Sequence, residues 1–64
     1  MDDPNALSYE AAYEELVELI DRLESGNLAL EEALALYERG RALAARCQRL
    51  LDEAELRLQR LESG

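Results

Sequence analysis

An all-α fold is predicted for this 64-residue chain: an antiparallel hairpin of two helices, the second much longer than the first, coiled-coil-like and self-associating. Three observations predict it. Apolar residues recur at alternating spacings of three and four along two segments, and no period-two alternation competes with them. Between the segments stands Glu24-Ser25-Gly26-Asn27, whose glycine can take the left-handed conformation that ends a helix. Self-association is expected from size, because so short a chain buries little apolar surface alone.

Residues 1–7 (MDDPNAL) hold the one proline, beside Asp and Asn, and show no period. They are expected to form a flexible leader ahead of a single helical-hairpin domain over residues 8–62. Helix 1 is predicted over about 8–24. Ser8 offers a hydroxyl to the first free N–H groups, and Glu10 sits in the first turn, where the helix dipole favours an acid. Its apolar stripe is Tyr9, Tyr13, Leu16, Ile20 and Leu23, widened on one flank by Ala12 and Leu19. A turn over 25–29 is short enough to force the helices antiparallel.

Helix 2 is predicted over about 30–62. Ala33, Tyr37, Gly40, Ala44, Cys47, Leu51, Ala54, Leu58 and Leu61 follow one another at spacings of 4 and 3 in strict alternation, the heptad rule, with Leu36, Leu43 and Leu50 broadening the seam. Small residues in that seam let two helix backbones approach closely. At about 1.5 Å per residue, helix 1 spans roughly 25 Å and helix 2 roughly 50 Å. Helix 1 therefore covers the second stripe only to about Cys47, and the remainder must be buried elsewhere. A partner-binding surface is expected on Tyr37, Gly40, Leu43, Cys47, Leu50, Leu51, Ala54, Leu58 and Leu61.

The chemistry available is narrow. With no His there is no imidazole base, and the single Cys has no such base to activate it. Cys47 on the seam reads as a small buried hydrophobe. The acidic doublets Glu14-Glu15, Glu31-Glu32 and Asp52-Glu53 diverge around a helix rather than converge on a metal or a substrate. No catalytic, cofactor-binding or metal-ligating residue is assigned.

Charge sharpens the picture. Fifteen acids against seven bases, all Arg, give −8. Eleven acids and one base lie between Met1 and Glu38, whereas six Arg and four acids follow from Arg39 onward, so the two parts attract each other. A polyanion meets net repulsion, which argues against autonomous nucleic-acid binding. Arg39, Arg46, Arg49 and Arg60 read as a solvated face or as contacts to the acidic helix. No apolar run approaches the ~18 residues of a membrane span and no charged-then-apolar segment opens the chain, so a cytoplasmic location without membrane contact is expected.

Several short runs, taken together in order, are distinctive: Tyr9-Glu10, Leu16, Leu23-Glu24-Ser25-Gly26, Leu28, Leu30-Glu31-Glu32-Ala33-Leu34, Leu36-Tyr37-Glu38-Arg39-Gly40, Leu43, Cys47 and Leu51-Asp52-Glu53-Ala54-Glu55. This string resembles the small subunit of bacterial exodeoxyribonuclease VII over about Ser8 to Leu61. The resemblance implies a helical-hairpin accessory protein of a single-stranded-DNA exonuclease, assembling with a large catalytic subunit. That holoenzyme degrades single-stranded DNA from either end to oligonucleotides and nucleoside 5′-phosphates in the bacterial cytoplasm. The chemistry, and contact with single-stranded DNA, would then belong to the complex. The family's apolar positions coincide with Leu16, Leu23, Leu34, Tyr37, Gly40, Cys47, Leu51 and Ala54. Two departures are Ala29, where relatives often place a capping Ser, Thr or Pro, and Tyr9, where Phe is common. The rival reading from another class is a free-standing helical dimerisation or adaptor module unrelated to a nuclease.

Overall fold

The computed structural model describes residues 3–63. Among them there is no strand. A short 3-10 turn, Pro4–Ala6, precedes helix α1, Tyr9–Ser25, and helix α2, Leu30–Ser63. Ser8 caps α1 as its hydroxyl suggests, its Oγ accepting from the Ala11 N–H at 3.1 Å. Gly26 ends α1 in the left-handed region at φ 73°, a conformation without cost for glycine. At the start of α2 the Ala29 carbonyl accepts from the Ala33 N–H at 3.0 Å, and its methyl side chain has nothing to add as a cap.

The two helices form an antiparallel hairpin, as predicted, but the line of contact is rotated from the expected stripe. On α1 the buried residues are Ala12 and Leu19, flanked by Leu16 and Leu23, while Tyr9, Tyr13 and Ile20 are exposed. On α2 the contact runs through Leu36, Gly40, Leu43 and Cys47, while Tyr37, Ala44 and Leu51 of the expected series are exposed. Leu43 is fully enclosed. The rotation has a physical reason. It sets Leu16 and Leu19 against Gly40, buries Ala12 in the seam, and leaves all three tyrosines exposed. A Cβ placed on Gly40 would stand 3.2 Å from Leu19 Cδ2, so any larger residue here would push against that leucine.

Residues 3–7 make contacts that their lack of period does not suggest. Asp3 Oδ1 accepts from the Asn5 N–H at 3.0 Å and caps the 3-10 turn. Leu7 packs on the core, its carbonyl accepting from Arg46 Nε at 2.9 Å, and Arg49 Nη1 donates to Asn5 Oδ1 at 3.4 Å. One apolar side chain and two guanidinium donors therefore tie the leader to α2, contacts that periodicity does not reveal.

The long axis of the molecule, 52 Å, is the length of α2 itself, since 34 residues at about 1.5 Å each give about 51 Å. Beyond Leu50, every residue of α2 from Leu51 to Glu62 is exposed. The overhang expected from the length arithmetic is present.

Candidate partner-docking surface

The hairpin has two unlike faces. Across one of them Arg39 and Glu15 form a two-pronged pair, Arg39 Nε to Glu15 Oε2 at 2.6 Å and Arg39 Nη2 to Glu15 Oε1 at 3.0 Å. The fork geometry matches guanidinium to carboxylate. This hydrogen bond, helped by the Arg39 charge and opposed by partial burial, holds the Glu15 carboxyl below its ordinary value of 4.5. Beside the pair lies an open groove whose walls include Glu18, Arg22, Leu36, Glu38 and Pro4 of the leader. The charged pair and the leader thus occupy this side.

The other face is apolar. With 100° between successive helical residues, Tyr9, Tyr13 and Ile20 lie on the flank of α1 away from Glu15, and Tyr37, Ala44 and Leu51 on the flank of α2 away from Arg39. Because the helices are antiparallel, these flanks turn to the same side of the molecule. Tyr13 is 52% and Tyr37 59% exposed. Tyr9 and Tyr13 stack on each other with ring centroids 6.0 Å apart, giving a continuous aromatic ledge at the α1 N-terminus.

The residues expected to meet a partner fall into two groups. Gly40, Leu43 and Cys47 lie in the seam between the helices, enclosed by α1. Leu50 is half-buried at the end of that seam. Tyr37, Leu51, Ala54, Leu58 and Leu61 are exposed, Leu61 at 79%. Tyr9, Tyr13 and Ile20, members of the apolar stripe that the sequence predicts for helix 1, stand outside the seam and extend the uncovered surface onto α1. The signal that places them outside is phase: Ala12 and Leu19 follow the same helical repeat one step round, and Leu19 with Leu16 fits against Gly40.

Among the described residues, no group of three or more His, Cys, Asp or Glu is placed to hold a metal ion, and no helix is long and apolar enough to cross a membrane.

A family model described as the exonuclease VII small subunit matches residues 9–64, which include both helices. The chain belongs to that family. Among similar family members, the exodeoxyribonuclease 7 small subunit of Beutenbergia cavernae is 59% identical over 59 residues, covering 92% of this chain and 69% of that protein. Its counterpart in Arthrobacter sp. is 54% identical over 56 residues, 88% of this chain and 74% of that protein. That of Leifsonia xyli subsp. xyli is 48% identical over 64 residues, 100% of this chain and 70% of that protein. No solved structure matches the chain. Membership of the exonuclease VII small-subunit family favours the accessory-subunit reading of the sequence over a free-standing adaptor.

Proposed function

We propose that this chain is a non-catalytic accessory subunit that assembles with the large catalytic subunit of an exodeoxyribonuclease VII, the enzyme that degrades single-stranded DNA from either end. Its role is structural. The hairpin lays apolar surface against elongated helices of the large subunit and keeps the assembly soluble and active in the cytoplasm, while the hydrolytic chemistry and the DNA contacts belong to the complex. An overall charge of −8 keeps the free subunit from binding DNA unproductively.

The observation that supports this reading is the overhang of α2, where Leu51, Leu58 and Leu61 stand exposed on a stretch, residues 51–62, in which every residue is exposed. Apolar residues at heptad spacing on such a helix are a docking stripe. The test is to purify the large subunit with and without this chain and follow single-strand degradation and solubility. Higher activity and solubility in the mixture are expected; equal values in both would refute the role.

A further inference from the structure

We infer that the tyrosine-bearing face of the hairpin, continued by the outer row of the overhang, docks an amphipathic helix of the large subunit whose apolar stripe is edged by Lys or Arg. The inference rests on the accessory-subunit reading and names the face and the charge that the reading leaves open. Three observations select the face. The opposite side is occupied by the Glu15–Arg39 pair and by the leader, which Arg46 and Arg49 hold against α2. The tyrosine side is apolar from α1 across to α2, with Tyr13, Ile20, Tyr37 and Leu51 each at least 42% exposed. It also runs without a break into the overhang, since Tyr37, Ala44, Leu51 and Leu58 repeat every seven residues along one helix.

Charge selects the occupant. On α1, Glu10 and Glu24 stand in line with Tyr13 and Ile20 at helical spacings of three and four. On α2, Glu55 and Glu62 follow Leu51 and Leu58, each by four residues, and Arg41 is the single base in that row. All five are exposed. The apolar ledge is thus bordered by four acids and one base. A helix with basic flanks would be steered onto it and would fix its register by pairing with those acids. A second copy would bring the same acidic border and another −8, so like charges would face each other.

The test compares the full-length chain and its variants for binding to the purified large subunit, at about 50 mM and about 500 mM NaCl, where the screening length falls several-fold. Wild type is expected to bind, and to lose about tenfold or more in affinity at the higher salt. Tyr13→Glu with Tyr37→Glu is expected to bind at least about tenfold more weakly, with an unchanged helical spectrum because both sites are more than half exposed. Glu18→Gln with Glu38→Gln, on the opposite side, is expected to stay within about twofold. Binding by the double tyrosine variant at wild-type strength would overturn the choice of face. Affinity indifferent to salt, read on wild type alone, would overturn the basic edges even if that variant fails to fold. If sedimentation shows a stable dimer of the free chain that the tyrosine variant dissolves while large-subunit binding persists, the face belongs to a second copy and the inference fails. Wild type that does not bind the large subunit at all removes the accessory-subunit reading itself, a result distinct from the others.

Discussion

At the scale of single residues, the same residue type does opposite work at two places on α2. Leu43 has no accessible surface and fills the seam beside Ala12 and Leu19, so Leu43→Ala should lower the unfolding free energy by about 2–5 kcal/mol, as core leucine truncations do. Leu58 is 60% exposed, and Leu58→Ala should move the isolated chain by no more than about 0.5 kcal/mol. Urea denaturation followed by circular dichroism measures both; equal losses would mean that the overhang is buried in solution. Glu15 makes a pH prediction. Its carboxyl is held below 4.5 in the folded chain by Arg39, so the pair contributes fully above the unfolded value and is lost as pH falls through the lowered one. Because the Glu15 side chain is 39% exposed, the contribution is at most about 0.5–1 kcal/mol. Acidification also relieves repulsion among the other carboxylates, so the pair shows only as a difference. The melting temperature of wild type should exceed that of Glu15→Gln above pH 4.5, and the gap should close in more acidic buffer.

At the scale of elements, the sequence made the hairpin and its lopsidedness legible, and it left the contact line and the leader hidden. Ser8, Gly26 and the alternating three-and-four spacing are local signals, and α1 and α2 lie on either side of the glycine they mark. The phase of the seam is not local. Tyr9, Tyr13 and Ile20 keep helical spacing as well as Ala12 and Leu19 do, and only the fit of Leu19 against Gly40 on the other helix decides between them. The leader was hidden for a similar reason: Leu7 and Asn5 find partners in Arg46 and Arg49, some forty positions away, and no run of seven residues announces such a bond. The uncovered apolar surface was legible along the overhang, beyond the reach of helix 1, and illegible on α1, where the exposed row and the buried row differ by a fraction of a turn.

At the scale of the whole molecule, the hairpin and the overhang are separable in energy though continuous in backbone. The core of Ala12, Leu19, Leu43 and Cys47, with Leu7, Leu16, Leu23 and Leu36 around it, lies wholly before residue 50, and the leader is anchored at Arg46 and Arg49. Residues 51–62 are all exposed, and Asp52 Oδ1 accepts from Gln48 Nε2 at 3.0 Å where they leave that body. A dozen helical residues without tertiary contacts are marginal in water, so the overhang stands largely on continuation of the helix from the hairpin. A chain ending at Leu51 should therefore melt within a few degrees of the full-length protein, because the burial that holds the hairpin is intact and only exposed surface has been removed. The same truncation removes Leu58, Leu61, Glu55 and Glu62, roughly the last 18 Å of the docking ledge, and its affinity for the large subunit should fall by about a hundredfold or more, the loss expected when several anchors go together. Calorimetric melting and titration against the large subunit, run on the two chain lengths side by side, separate the two consequences. A large drop in melting temperature would place the overhang in the core of the free protein, whereas undiminished binding would confine the partner to the hairpin.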